Sequence, residues 1–488
     1  MSTSIFPATR TEFFIGGRWV APRSRTTLEV RSANTGEPIG SVPAAGPADV
    51  AAAVAAARSA FDAPDGWAHQ PASPRAAVLR RFADALDARA QAMAPLVSEQ
   101  NGMPVFLAEA GDSRRPGHLL RYYADLLDGP DGAGEEIREG AGTGRTLVRR
   151  LPLGVVAAVV PWNFPNTMAA LKYAPALAAG CTVVLKPSPE TVLDTYLVAE
   201  AAVEAGLPEG VLNIVPGGRE TGAHLVGHPG VDKVAFTGST AAGRHIGEVC
   251  GHLLRPVTLE LGGKSAAIVL DDADLDLPSA APRLAPALFG NNGQTCFLTS
   301  RVLAPRSRYE EVVGTVAALA RSLRVGNSLD PTTQVGPLVS ERQRERVEEY
   351  IAQGVASDAR LITGGGRPAG LRAGWFVEPT VFADVDPSHP IAREEIFGPV
   401  VTVTPYEDDD QAVELANDSE YGLAGTVWTA DPDRGLAVAR RIVTGSVGIN
   451  HYTPDTTSPT TMIKASGVGL KFGPEALLSY QRYQSVYL

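Results

Sequence analysis

From residue 155 onward, short apolar runs alternate with stretches of helical periodicity: VVAAVVP, NTMAALKYAPALAAG, TVVLKP, TVLDTYLVAEAAVEAG, VLNIVPG, ETGAHLVGH, DKVAFTG, STAAGRHIGEVCGHLL and PVTLEL. The strand-like runs are filled with Val and Ile and show no polar alternation. Such a strand has no face to offer water, so it belongs in a parallel sheet covered by helices on both sides. The pattern predicts a doubly wound α/β domain. A second α/β region runs over about 261–455, with strand candidates AAIVL, SRVLAP, ARLITGG, VVTVTPY, GTVWTA and GSVGIN between helical stretches such as RYEEVVGTVAALARSLR. The first 130 residues read mainly as helix, above all 48–62 and 73–102. The Gly- and charge-rich segment 128–154 leaves the main body, either as a hairpin toward another subunit or as a surface loop. The β-prone tail PEALLSYQRYQSVYL needs a partner edge, in this chain or on a neighbour.

At 488 residues the chain exceeds what one core organises, which predicts two domains or two plus a small appendage. A net charge of −11 without a dense Lys/Arg cluster argues against nucleic acid as a partner. The start MSTSIFPATRTEFF has no signal-peptide pattern, and no apolar run approaches the roughly 18 residues of a membrane span. A cytoplasmic protein without membrane association is expected. The three cysteines, Cys181, Cys250 and Cys296, form no CxxC pair and have no nearby histidine pattern, so neither a disulfide framework nor a metal site is predicted. Cys181 and Cys250 read as small buried hydrophobes. Cys296 stands apart, among the small and polar residues of FGNNGQTCFLTS.

Two familiar phosphate-binding patterns are missing. LELGGKS ends like a P-loop, but Thr258 occupies the place of the required first glycine, and no GxGxxG opens the first βα turn. VAFTGSTAAGRHI offers another solution: a strand ending at Phe236, Gly238 for close backbone approach, and Ser239 or Thr240 to cap a helix whose N-terminus favours an anion. An ordinary capped junction fits the same residues. VVPWNFP holds Asn163 in a turn stiffened by Pro161 and Pro165 beyond a buried strand, a rigid amide donor suited to an oxyanion. TLELGGK puts Glu260 at another strand end beside Gly262 and Gly263, where low-dielectric surroundings are expected to raise its pKa toward that of a base acting near neutral pH.

The motifs PWNFP (161–165), TVVLKP (182–187), FTGST (236–240), LELGGK (259–264), GQTC (293–296), EEIFGPV (394–400) and YGLAGTV (421–427) resemble, in order and nearly end to end, those of the aldehyde dehydrogenase superfamily. The resemblance implies a Rossmann-type cofactor domain (1–127 and 151–259), an α/β catalytic domain (260–457), and a small β oligomerisation arm and tail (128–150 and 458–488) of a homodimer or homotetramer. It implies Cys296 as nucleophile, Asn163 and a backbone N–H as oxyanion donors, and Glu260 as base. Lys172 falls at the family's active-site lysine, or else snorkels to solvent from its helix. Lys186 matches the adenosine-ribose lysine, with Ser188 beside it. Trp162, Gly217, Gly222, Phe236, Gly238 and Ser239 match the dinucleotide cleft, and Glu395, Phe397 and Gln343 the nicotinamide end. NAD is the implied cofactor. NADP is also compatible, because Pro189 stands where NAD-preferring members place glutamate, with Glu190 one position later. Phe164, Asn166, Met168, Leu171, Phe297 and Tyr452 are the implied substrate tunnel, suited to a medium-sized apolar or aromatic aldehyde. Near the end, Thr460, Thr461 and Met462 replace the family's Phe-Gly-Gly, and Leu470 and Lys471 replace Arg-Glu, which bears on pocket shape and assembly. The alternatives are a CoA-acylating relative, disfavoured by Glu260, and a non-catalytic dinucleotide-binding protein.

Overall fold

Five consecutive side chains are buried in each of Val155–Val159, Thr182–Lys186 and Lys233–Thr237, as strands covered on both faces require. The computed structural model describes residues 9–129, 132, 134–140 and 144–488. These three strands lie in a sheet ordered Arg18–Val20, Phe13–Ile15, Leu212–Ile214, Thr182–Lys186, Val155–Val159, Lys233–Thr237, Val257–Glu260, Gly467–Val468. The inner five are parallel and the outer strands antiparallel. Chain order runs one way from Val155–Val159 and the other way from Lys233–Thr237, so a crevice opens between their carboxyl ends, where α/β sheets bind ligands.

Helices fill both faces. On one side Ala72–Asn101, Arg115–Asp128 and Pro165–Ala179 enclose Leu79, Phe82, Tyr123 and Tyr173, with Cys181 in the same core. On the other, Pro47–Asp62 and Thr240–His252 pack Val50, Val54 and Ile246 around Cys250. A second sheet is ordered Arg360–Thr363, Thr380–Ala383, Val400–Tyr406, Arg301–Pro305, Ala266–Val269, Ala424–Trp428, Ser446–Ile449, parallel apart from its first pair. It has its own cores around Val302, Val316 and Trp428, and around Ile268, Leu303 and Val427.

The N-terminal region departs from the helical expectation, since it also holds the strands Phe13–Ile15, Arg18–Val20, Thr27–Arg31 and Pro38–Pro43. Each is six residues or shorter, and Phe13–Ile15 is completed by Leu212–Ile214, some two hundred residues away. Segment 128–154 takes the hairpin form, with Glu135–Glu139 paired to Arg145–Pro152. The parts of the expected arm at 130, 131, 133 and 141–143 lie outside the described residues, as do 1–8 of the N-terminal reading. The tail strand Gln481–Tyr487 finds its partner within the chain, from Gln481 opposite Pro152 to Tyr487 opposite Thr146. The tail also serves the first sheet: Gly467–Val468 closes it, and Phe472, Ala476, Leu477 and Tyr480 enter the core on one of its faces. Among the described residues no helix is long and apolar enough to cross a membrane, and no group of three or more His, Cys, Asp or Glu is placed to hold a metal.

Candidate active site

The crevice is lined by turns that follow strands of both sheets. Beyond Val155–Val159, the Asn163 turn is braced by more than its prolines. Asn101 donates its amide to the carbonyls of Trp162 (3.0 Å) and Asn163 (3.3 Å), and Asn291 donates to the Asn163 carbonyl at 2.9 Å. The Asn163 side chain donates to the Gln294 carbonyl at 3.0 Å, two residues before Cys296. An amide carries two N–H donors, so one remains for a ligand.

Cys296 follows a turn in which Asn291, Asn292 and Gly293 all take left-handed backbone angles, at φ 51°, 60° and 78°. That conformation is costly for residues with a Cβ and persists where the surroundings over-determine it. Here Asn292 donates to the carbonyls of Gly102 (2.8 Å) and Pro337 (2.9 Å) and accepts from Gly336 N–H (2.6 Å), while Gln294 accepts from Val339 N–H at 2.9 Å. A Cβ on Gly293 would overlap the Gly398 backbone, and one on Gly263 would overlap the Cys296 carbonyl oxygen. The sulfur is therefore carried on a rigid, close-packed loop. Burial, then the nearby Glu260 charge, push its thiol up to about 12, with Lys471 acting the other way. The resting thiol is protonated and needs a proton acceptor.

Glu260 ends its strand 3 % exposed. Its Oε2 accepts from Thr237 Oγ1 at 3.3 Å, Thr237 Oγ1 accepts from Lys172 Nζ at 2.6 Å, and Lys471 Nζ donates to Glu260 Oε1. Lys172 is buried in this chain of contacts rather than snorkelling to solvent. Burial pushes Lys172 down to about 8. The expected upward shift of Glu260 is corrected: burial does push it up, but Lys471 and Lys172 outweigh burial and hold the carboxyl below its usual range. The motif showed the low-dielectric site and not the two ammonium groups folded into it.

The residues matched to the cofactor lie along the carboxyl edge of the first sheet and across the crevice. Lys186 Nζ donates to the carbonyls of Pro187 (2.7 Å) and Gly217 (2.6 Å), and a Cβ on Gly222 would sit 3.5 Å from the Lys186 side chain. Ser188 donates to Glu190 Oε2 at 2.6 Å. Ser239 caps Thr240–His252 by accepting from Ala242 N–H at 3.3 Å. A Cβ on Gly238 would come within 2.5 Å of the Phe236 ring, so the backbone is bare at the mouth of that helix. Across the cleft, Glu395 Oε1 accepts from Gly263 N–H at 3.1 Å, and burial raises its carboxyl to about 7. Phe397, at φ 61°, sets its ring edge-on to Trp162 with centroids 5.3 Å apart. Gln343 uses its amide to brace this turn, donating to the carbonyls of Phe397 (2.8 Å) and Ile396 (3.3 Å). A capped helix N-terminus, a bare glycine approach, a buried lysine and a facing carboxylate form a donor set that fits a dinucleotide.

Phe297 stacks on Tyr452 with centroids 4.9 Å apart, and the Tyr452 hydroxyl is 2.7 Å from Ser446 Oγ. Met168 and Leu171 pack into the first core with Phe164 against it. Asn166, also matched to the tunnel, is held by a polar contact. Its backbone and side-chain N–H groups both donate to Asp112 Oδ2 at 3.2 Å, and Thr167 N–H reaches Asp112 Oδ1 at 2.9 Å. Asp112 thereby satisfies the unpaired donors at the start of helix Pro165–Ala179, which draws Asn166 into a buried polar knot. Sequence reasoning missed Thr237, Lys471 and the bracing Asn101, Asn291, Asn292 and Gln294 as site residues. Thr237 had one signal, a hydroxyl ending an apolar strand; Lys471 had another, a cation where the family pattern is acidic.

Residues 19–486 match the aldehyde dehydrogenase family. The chain is 55% identical over 475 residues to a protein named geranial dehydrogenase from Castellaniella defragrans, covering 97% of this chain and 98% of that protein. It is 41% identical over 488 residues to phenylacetaldehyde dehydrogenase of Pseudomonas fluorescens, covering 98% and 95%. The fold matches that of a Mycobacterium tuberculosis aldehyde dehydrogenase solved with NAD+ at a TM-score of 0.95 and 46% identity, over 99% of this chain and 98% of that one. With the same motifs, the same architecture and relatives aligned over practically their whole length, this chain belongs to the aldehyde dehydrogenase family.

Proposed function

We propose that the chain oxidises a medium-sized apolar or aromatic aldehyde to the carboxylic acid, with NAD as oxidant and Cys296 as nucleophile. The reading is carried by one observation: the Asn163 amide is bonded to the loop that presents Cys296, at a site where the charge of Glu260 is felt by the sulfur. Glu260 takes the thiol proton as the sulfur adds to the aldehyde carbon. The second N–H of Asn163 and the Cys296 backbone N–H hold the resulting oxyanion, a form of stabilisation that preorganised donors supply without reorganisation. When bound, NAD supplies the acceptor for the hydride that leaves the carbon, and the acyl group remains on sulfur as a thioester. Once Glu260 has passed the thiol proton to solvent, it draws another from a water that attacks the thioester; the C–S bond breaks with its electron pair on the sulfur, and the acid departs.

Residues 1–127 and 151–259 serve as the dinucleotide-binding domain, and 260–457 as the catalytic domain. Lys186, Ser188, Gly217, Gly222, Phe236, Gly238 and Ser239 hold the adenosine and pyrophosphate portion, and Trp162, Glu395 and Phe397 the nicotinamide portion. Glu190, hydrogen-bonded by Ser188 and felt by Lys186, places negative charge where NADP would carry its 2′-phosphate, which favours NAD. The stacked Phe297 and Tyr452 favour a flat or branched apolar substrate, in keeping with the names of the geranial and phenylacetaldehyde relatives. The protein works in the cytoplasm as a homodimer or homotetramer.

The test is the rise of NADH absorbance with terpenoid and aryl aldehydes, with the product trapped. Wild type is expected to release free acid with NAD in preference to NADP, and Cys296→Ala none. A CoA ester as the required product would move the enzyme to the acylating branch; cofactor binding without turnover on the whole panel would overturn catalysis.

A further inference from the structure

The two departures from the family pattern near the end of the chain, at 460–462 and 470–471, are each other's partners in the fold. Glu260 pairs in register with Gly467 at the last edge of the first sheet. Gly467 sits at φ 125°, where a Cβ would overlap the Leu259 carbonyl, so the tail strand lies against the Glu260 strand with no room for a side chain. Three residues later Leu470–Lys471 turns back on Thr460–Thr461, with Thr460 opposite Lys471 and Thr461 opposite Leu470. Met462, buried beneath, adds a backbone bond to Gly469 at 2.9 Å. This small ladder delivers Lys471 Nζ to Glu260 Oε1, with side-chain exposures of 11% and 4%.

A lysine this buried is expensive unless its partner is fixed, and well-packed apolar side chains often do as well for stability. Its place therefore calls for a role in the chemistry. The ionisable groups facing it are Glu260, the Cys296 sulfur and the Tyr452 hydroxyl. Lys172 faces Glu260 from the helix side with Thr237 between them, and Glu395 faces Cys296 from across the cleft.

We propose that Lys471 is a positioning residue for deacylation: it fixes Glu260 as a carboxylate beside the acylated Cys296, then becomes the counter-charge of the sulfur as the acid leaves. This rests on the roles of Cys296 and Glu260 given above. In the step, the water oxygen bonds to the thioester carbon while its proton passes to Glu260. The C–S bond breaks, the electron pair stays on Cys296, and the carboxylic acid departs. One negative charge moves from Glu260 to the sulfur. Lys471, within electrostatic reach of both, balances the site before and after without moving through solvent. Lys172 does not duplicate this contact: its ammonium donates to Thr237 Oγ1, and it is the Thr237 hydroxyl, not Lys172, that meets Glu260.

Rapid-mixing kinetics separate the steps, with the NADH burst reporting acylation and the mass of the acyl-enzyme reporting thioester decay. In wild type, thioester decay is expected to hold its rate down to about pH 5, because Glu260 stays ionised below the ordinary carboxylate range. In Lys471→Met the acid limb of decay should move to higher pH, so that the rate at about pH 5 falls about tenfold or more below the rate at pH ~8. The acyl adduct should accumulate while the burst is less affected. Lys471→Arg should restore the wild-type limb. Lys471→Gln serves as the second neutral variant should Met fail to fold, with NAD affinity and thermal unfolding checked in each. A limb unmoved in a folded neutral variant, or Arg behaving like Met, overturns the proposal. Glu260→Gln separates this failure from that of the reading beneath it: if Glu260→Gln clears its thioester at the wild-type rate, the role of Glu260 itself is wrong.

Discussion

Asn163 is asked to do two things, hold the loop of Cys296 through the Gln294 carbonyl and donate to an oxyanion, and removing its amide ends both. Asn163→Ala is expected to lower kcat by about 10²–10³-fold, or about 2.7–4 kcal/mol of barrier, as loss of one preorganised donor does elsewhere. NAD affinity, read by protein fluorescence, should be little changed, because the amide touches the Cys296 loop and not the Lys186 end of the cleft. Lys172 sets a second expectation. Its ammonium, brought down to about 8 by burial, is charged below that pH and neutral above it, so raising the pH through about 8 withdraws a positive charge from Glu260 and Cys296. Turnover should show an inflection there that Lys172→Met removes. An inflection that survives the substitution would belong to another group.

The loop 290–296 and the 460–471 ladder are the elements that turn a common fold into this site. Gly293 carries a left-handed backbone against Gly398, so Gly293→Ala is expected to lower the melting temperature and displace Cys296, with activity falling more than NAD binding. Gly314, exposed in helix Tyr309–Ser322 with open space where a Cβ would go, gives the contrast: Gly314→Ala should stabilise by about 0.5–1 kcal/mol and leave turnover alone. The same division explains what the sequence displayed. The five inner strands of the first sheet were legible because each is an apolar run that only a covered parallel sheet can house. Strands such as Gly467–Val468, Thr380–Ala383 and Phe13–Ile15 were not, being defined by partners that lie elsewhere in the chain. The side chains Asn163 and Glu260 were visible through their motifs, yet the charge state of Glu260 was misread because Lys471, more than two hundred residues on, reaches it only through the ladder. The contact of Asn166 with Asp112 was hidden for a like reason, since Asp112 comes from outside its motif.

For the whole molecule, assembly turns on the arm. The ladder of Glu135–Glu139, Arg145–Pro152 and Gln481–Tyr487 is held together by its backbone and by Arg149, which donates to Glu135 at 2.7 Å and to Gln484 at 2.9 Å. It nevertheless leaves Ile137, Tyr483 and Leu488 exposed, with Tyr487 at 85%. A sheet with an unpaired outer strand and outward apolar side chains is a template for association, and proteins that keep such an edge usually pair or cover it. A second copy of the chain is the occupant consistent with the homo-oligomer proposed above. The double variant Tyr483→Glu/Tyr487→Glu puts charge on one face of the tail strand, since residues four apart share a face, while its ladder bonds are backbone. Sedimentation should then report a smaller assembly than wild type, and a chain ending at Tyr480 should do the same while keeping Tyr480 in the first core. Because the residues proposed to hold NAD, from Trp162 to Phe397, all lie outside the tail strand, NAD binding should survive both changes. If sedimentation is unchanged in both while each variant remains folded, association proceeds through another face, and the arm's apolar side chains need a different partner.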